Sequence, residues 1–314
     1  MPAHLNIIAR TNGVGLDRDV DIIHQVATSA GHKVTVSHCR EISVFTRWLG
    51  RKNTFDANIF LERIFPRWLT SAKTNILIPN QERFPRRHLS RLTKIDHVFC
   101  KSKHALKIFS QFHPSCHFTG FTSANLDQPG IPRRPQAILH LAGRSTLKGT
   151  DTVLSLWKKH SEWPTLTLLQ HKDNAPEEVP DNVHLITDYL SQEEIVKLVN
   201  EHPIHLCPSL SEGWGHYIVE AMSCGATVIT TDAPPMNELV HPDRGILVAA
   251  PETEPRHLGT NFKVDPEALE SAITEAFSMP EEDRTAIQSH AKTWALENHR
   301  SFEKRFTEIL RKAT

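Results

Sequence analysis

Short apolar runs alternate with longer stretches of mixed polarity from the start of the chain. HLNIIA (His4 to Ala9) is followed by a glycine-containing turn, a helix predicted from about Asp17, Gly31 as its stop, and KVTVSH (Lys33 to His38). That succession is the strand, helix, strand unit of a parallel sheet. ANIFL, TNILIP, DHVFC and CHFTG continue it, with helical segments predicted between the last three. The segment LDQPGIPRRPQ, Leu126 to Gln136, carries three prolines and a glycine, the composition of a boundary rather than of an element. Beyond it the alternation restarts: AILHLAG, a helix from about Thr150, TLTLLQ, VHLIT, a helix near Gln192 to Asn200, IHLCPS, a helix up to Cys224, and TVITTD. Helical periodicity then runs from about Pro266 to the C-terminus, with Trp294, Phe302 and Phe306 as apolar anchors.

The pattern predicts an α/β protein of two doubly wound domains, 1–130 and 131–298, with 299–314 forming a last helix that returns to the first domain. Two such domains facing each other leave a cleft at the carboxyl ends of their strands, where open α/β sheets take ligands. A length of 314 residues suits two domains of ordinary size.

Composition narrows the function. The 36 basic and 36 acidic residues cancel, so the overall charge recruits neither nucleic acid nor an anionic membrane. Arg83, Arg86, Arg87, Arg91 and Lys94 form a local basic patch, which reads as a solvated helix face ahead of a binding surface. Five cysteines, odd in number and without C-x-x-C spacing, read as reduced, buried thiols of a cytoplasmic protein. The N-terminus does not resemble a signal peptide, and no apolar run approaches the ~18 residues of a membrane span. Any contact with a membrane would therefore be peripheral, at its inner surface.

The most informative stretch is Pro208 to Val240, which reads as strand end, glycine-punctuated turn, helix, Gly225 as stop, strand, and a Pro-Pro loop. Gly213 and Gly215 let backbone amides approach a ligand, and the free N–H groups of the helix that follows attract phosphate. Glu212 and Glu220 are eight positions apart, roughly 12 Å along a helix, about the reach of a nucleotide sugar. One carboxylate could hold a sugar and the other a ribose, each accepting from neighbouring hydroxyls. Glu212 reads equally well as a turn carboxylate that favours the helix dipole. Glu220 lies among Ile218, Val219, Ala221 and Met222, so it requires a polar partner, a structural salt bridge being the plainer alternative.

The run EGWGHYIVEAMSCGATVITTDAPPMNEL resembles the donor-binding signature of retaining glycosyltransferases of family 4, and the resemblance extends upstream through LHLAGRSTLKGTD and ITDYLSQEEIVKLV to IHLCPS. It implies the GT-B architecture: two Rossmann-like domains across a cleft, the first on the acceptor side and the second binding the donor. By that resemblance Arg144 and Lys148 would bind the donor diphosphate and neutralise the leaving group, making a metal dispensable. Glu220 would bind the ribose and Glu212 the transferred sugar. Gly213, Trp214 and Gly215 would lie near sugar or phosphate, with His216 and Tyr217 starting the helix beside the phosphates. The base would lie near Tyr189 and Leu190, contacted largely by backbone. Glu238, after Pro234-Pro235, matches a further family acid or starts a helix. GRSTLKG taken alone reads equally as a charged strand-to-helix turn.

In the first domain NGVGLDRD, with Gly13 and Gly15, resembles the family's glycine-rich loop; as a dinucleotide fingerprint it fails, because no second-strand acid follows. Where many family members carry a histidine after a first-domain strand, this chain has Asn80, Gln81 and Glu82, polar groups suited to an acceptor or sugar, or simply an Asn-containing turn. His202 with His205, and His113 with His117, lack the further ligands of a zinc site, so no metal and no cofactor is expected. No G-x-S-x-G elbow supports hydrolase chemistry.

The resulting expectation is sugar transfer, with retained anomeric configuration, from a nucleoside-diphosphate sugar, UDP- or GDP-linked, to a hydroxyl-bearing acceptor that is a glycan, a lipid-linked sugar or a small molecule. The resemblance implies front-face attack without a protein nucleophile. A nucleotide-sugar epimerase or a glycoside phosphorylase on the same architecture is the alternative among enzymes, and a silent nucleotide-sugar-binding protein the alternative outside them.

Overall fold

A computed structural model describes residues 2–10, 15–40 and 54–314. Gly13 and the rest of 11–14 lie outside the described residues, so the first glycine-rich loop is represented only from Gly15 onward. The chain divides into two compact units: Met1–Ser123 with Pro255–Gly259 and Asn298–Thr314, and Ala124–Glu254 with Thr260–Glu297. The first crossing falls just ahead of the proline-rich segment, and the return of Pro255–Gly259 has no counterpart in the sequence pattern.

The first unit is a parallel sheet in the order β2-β1-β3-β4-β5-β6. Its strands are β1 (His4–Ala9), β2 (Lys33–His38), β3 (Phe55–Glu62), β4 (Ala72–Pro79), β5 (His97–Cys100) and β6 (Cys116–Phe118), with α1 (Gly15–Ser29) and α2 (Lys103–Phe109). Gly31, in the left-handed region at φ 87°, ends the α1 crossover. Between β4 and β5 the predicted helix is replaced by 3-10 turns, Gln81–Arg83 and Arg86–Lys94. Pro85 separates them, and a proline restrains the residue before it to extended backbone. A ladder of asparagines crosses the middle of the sheet. Asn6 faces Asn58, and Asn58 faces Asn75, in register. Asn6 Nδ2 donates to Asn58 Oδ1 (3.3 Å) and Asn58 Nδ2 to Asn75 Oδ1 (3.0 Å), while Ser37 and Ser71 hydroxyls supply the remaining donors.

The second unit repeats the plan in the order β12-β11-β10-β7-β8-β9, again parallel. It contains β7 (Ile138–Gly143), α3 (Thr150–Lys159), β8 (Leu166–Gln170), β9 (Val183–Ile186), α4 (Gln192–Glu201), β10 (Ile204–Cys207), α5 (His216–Ser223), β11 (Thr227–Thr231), α6 (Met236–Leu239) and β12 (Ile246–Val248). Ser191 and Glu194 form a capping box at the start of α4. The core gathers Trp157, Leu168, Leu206, Ile229 and Leu269. The hairpin of β13 (Glu252–Arg256) and β14 (Gly259–Lys263) was not predicted; its strands are short and polar, without an apolar alternation to betray them.

The single terminal periodicity resolves into α7 (Pro266–Ser278) and α8 (Glu281–Ala313). Met279 is extended ahead of Pro280, which cannot continue a helix from the residues before it. In the first unit, Phe302 and Phe306 are fully buried, against Phe121 (5.1 Å between centroids) and Phe99 (5.9 Å). Trp294 is only half-buried and carries the Arg244 guanidinium over its ring at 5.0 Å. Among the described residues no helix is long and apolar enough to cross a membrane.

Candidate functional site

Two loops leave the carboxyl edge of the second sheet beside each other, one after β7 and one after β10. Leu210 N donates to Leu147 O at 2.9 Å. Gly149, at φ 72°, caps α3, and a Cβ there would collide with the Pro208 carbonyl oxygen, so glycine is required for the loops to touch. Beneath them His140 on β7 is wholly buried. Its Nδ1–H donates to Leu206 O (2.8 Å), leaving Nε2 to accept from the Thr150 hydroxyl (3.0 Å). Burial lowers its pKa to about 4, which keeps the imidazole neutral.

On this base Lys148 reaches across to Glu212, Nζ to Oε1 2.5 Å, and lies 3.6 Å from the centroid of the Tyr217 ring. Ser209 donates to Glu212 Oε1 (2.6 Å) and accepts from the Tyr217 hydroxyl (2.5 Å). Burial raises the Tyr217 pKa well above its ordinary value, so the phenol remains a donor. The result is a relay, Tyr217 to Ser209 to Glu212, with a cation on the same carboxylate. Behind the loop, Ser211 Oγ donates to Asn261 Oδ1 (2.9 Å) and Phe262 N to Leu210 O (2.7 Å), so β14 holds the loop that carries Glu212.

Gly213, Trp214 and Gly215 are buried in the turn, and Gly215, at φ 110°, caps α5. A Cβ on Gly215 would press on Leu239 and Ile218 at 3.1 and 3.2 Å. His216 is the first residue of α5 and half-buried. Glu220, on the same helix, is 3% exposed and is not an isolated charge. Arg144, directly after β7, is exposed and donates to His171 Nε2 at 2.9 Å. His171 Nδ1 lies 3.3 Å from Asp173 Oδ2, and Asn174 donates to the Arg144 carbonyl (2.9 Å). Tyr189 is 95% exposed and Leu190 half-buried, just before the cap of α4. Glu238 lies within α6, beyond the cis Pro234-Pro235 bond.

In the first unit Gly15 opens α1. Asn80, Gln81 and Glu82 follow β4 in a 3-10 turn, with Gln81 2% and Glu82 5% exposed. Leu258 N donates to Gln81 O at 3.2 Å.

Sequence reasoning missed His140, Gly149, Ser209, His171 and Asn261. His171 had a signal, since a polar residue directly after an apolar parallel strand stands where such sheets take ligands. Asn261 had none, because its bond to Ser211 joins segments 50 residues apart; Ser209 is close to Glu212 and Tyr217 in sequence, but a serine at a strand end carries no signal of its own. The histidine pairs are committed to the fold: His202 bonds Leu198 O and Thr167, and His205 bonds Val199 O and His202 O. His113 Nε2 donates to Ile95 O (2.9 Å), while His117 lies 3.3 Å from His97 Nδ1. Among the described residues no group of three or more His, Cys, Asp or Glu could hold a metal ion.

A glycosyltransferase from Rickettsia africae superposes with a TM-score of 0.75 at 14% identity, over 99% of this chain and 98% of that one. Sucrose-phosphate synthase of Thermosynechococcus elongatus gives 0.72 at 13%, over 98% of each chain. Anabaena HepE, solved with UDP and glucose, gives 0.70 at 14%, over 99% and 100%. At such identities the likeness is one of fold, and the fold is the GT-B type. An uncharacterized glycosyltransferase of Sulfolobus islandicus rod-shaped virus 1 is 24% identical over 175 residues, 50% of this chain and 52% of that protein, so the match spans about half the length of the relative. Residues 124–294, more than half of the chain, match the glycosyl transferases group 1, and the chain belongs to that family.

Proposed function

We propose that the protein moves a sugar from a nucleoside-diphosphate sugar to a hydroxyl acceptor, with retention of configuration as in family 4 and without a metal. The observation that carries this reading is the meeting of Lys148 with Glu212 at 2.5 Å, between the loops that open α3 and α5. A cation and a carboxylate beside a helix start suit a diphosphate and a hydroxyl-rich sugar respectively. Lys148 and Arg144 would stabilise the charge that grows on the departing diphosphate, and α5 would add its first amides. Glu212, shared between Lys148 and Ser209, is held in place to accept from sugar hydroxyls. Glu220 would take the ribose. The fold is shared with HepE, whose structure contains UDP and glucose, which supports a UDP-sugar as the first donor to try.

Thermal-shift titration with UDP- and GDP-sugars tests donor binding, because a ligand that binds the folded state raises its melting temperature. Glu220→Gln, which keeps the size of the side chain, is expected to weaken the effective donor. A product heavier by one sugar in acceptor trials is the expected outcome. Failure of every nucleotide sugar to shift the melting temperature would remove the reading.

A further inference from the structure

On sequence alone the cations from Arg83 to Lys94 read as a solvated face; in the structure they are part of a larger assembly. Glu62 at the end of β3 pairs with Pro79 at the end of β4, so Arg63 and the turn beginning at Asn80 leave the sheet side by side. Arg83 closes that turn, its N donating to Asn80 O at 3.0 Å, and Arg87 and Arg91 follow on the next 3-10 turn. The Leu258 to Gln81 bond brings Arg256 and His257 of the same unit to this edge. His257 lies in the field of Arg256, Arg63, Arg83 and Arg87, and His88 in that of Arg91, Arg87 and Arg63. Desolvation first, and these cations next, hold both imidazoles below their ordinary pKa.

Little offsets this charge. Arg63 pairs with Glu62 at 2.8 Å, whereas Arg83, Arg87, Arg91 and Arg256 form no salt bridge among the described residues. Arg256 Nε and His88 Nδ1 are shut off from solvent and have no hydrogen-bond partner among the described residues; nor has Asn80 Oδ1. The backbone is strained at the same place. Glu62, not a glycine, sits at φ 65° with Arg63 N bonded back to Leu61 O (2.7 Å), a tight turn of the kind that persists where function holds it. A chain of zero net charge that gathers five guanidinium groups at one sheet edge is built for an anion, and the planar guanidinium fork matches phosphate oxygens.

We propose that this edge binds a phosphate carried by the hydroxyl acceptor, Asn80 taking a hydroxyl beside it. The inference rests on the acceptor-side role given above to Asn80, Gln81 and Glu82. A soluble sugar phosphate and a phospholipid headgroup share this chemistry.

The test uses the full chain at low salt. Glucose 6-phosphate is titrated against glucose by calorimetry, vesicles of phosphatidylglycerol are sedimented against vesicles of phosphatidylcholine, and UDP is titrated in parallel. The same measurements are made on Arg83→Ser/Arg87→Ser/Arg91→Ser, with Arg256→Ser as an independent variant and melting curves to verify folding. The expected result is a preference for the phosphate-bearing probe in one arm, weakening with salt and falling by roughly tenfold or more in the triple variant, with UDP affinity unchanged. Preference for glucose 6-phosphate assigns a soluble acceptor, and preference for phosphatidylglycerol a lipid headgroup. No preference in either arm, or a preference that survives both folded variants, overturns the proposal. Phosphate preference with no binding of UDP, nor of GDP titrated in the same way, leaves the anion site standing and removes the glycosyl-transfer reading instead.

Discussion

The ammonium group of Lys148 and the carboxylate of Glu212 are 2.5 Å apart, joined across two loops that are 64 residues distant in the chain. Lys148→Ala takes the cation from Glu212 and from the place where leaving-group charge would develop. Turnover is expected to fall roughly a hundredfold, with a smaller change in donor KM, because the lost interaction strengthens as the bond breaks. Steady-state kinetics with varied donor check this, and an unchanged kcat would take Lys148 out of the chemistry.

Gly149 touches the Pro208 carbonyl through the space a Cβ would fill, with its backbone in the left-handed region. Gly149→Ala should therefore push apart the two loops that bring Lys148 and Glu212 together. The expected loss is about 2 kcal/mol or more of stability, together with a reduced thermal shift by donor. A variant as stable as the parent would show that the loops can separate without cost.

Asn58 shares hydrogen bonds with Asn6, Asn75, Ser71 and the Trp68 carbonyl in the middle of the first sheet. Asn58→Leu fills similar space but leaves those buried groups without their partner. Urea unfolding is expected to show a loss of about 3 kcal/mol, since an unsatisfied buried polar group costs more than a hydrogen bond contributes. A neutral substitution would mean that water replaces the amide.

His140 has a folded pKa of about 4 and His205 of about 3, both lowered chiefly by burial. Between those values and the ordinary value near 6.5 the unfolded chain binds more protons than the native one, so stability rises with pH across that window. Acidification from about pH 7 to pH 5 is expected to remove on the order of 2 kcal/mol for each histidine, and His140→Gln should reduce the loss. Chemical unfolding at the two pH values measures it; equal slopes in parent and variant would clear His140 of the effect.

Much of the architecture was legible because parallel strands buried on both faces leave unbroken apolar runs. β1 to β11 lie where HLNIIA through TVITTD predicted them. The polar hairpin of β13 and β14 and the 3-10 turns in place of a helix after β4 lacked that signature, and β12 escaped although apolar, because it is only three residues long. The candidate site was legible where it is local, in the glycine turn before α5, and illegible where it depends on contacts across the fold. Glu212 could be named from its motif, but its bond to Lys148, 64 residues away, could not. The arginines after β4 looked like a solvated face because Arg63 and Arg256 are far from them in sequence.

The return of Asn298–Thr314 to the first unit means that neither half is a continuous stretch of polypeptide. Phe302 and Phe306 cover Phe121 and Phe99, so a fragment ending in the proline-rich segment would leave an oily surface uncovered. Synthesis of the first unit's sheet thus precedes its completion, which waits for residues 298–314 to emerge, and a chain cut just before Asn298 would injure the first unit more than the second.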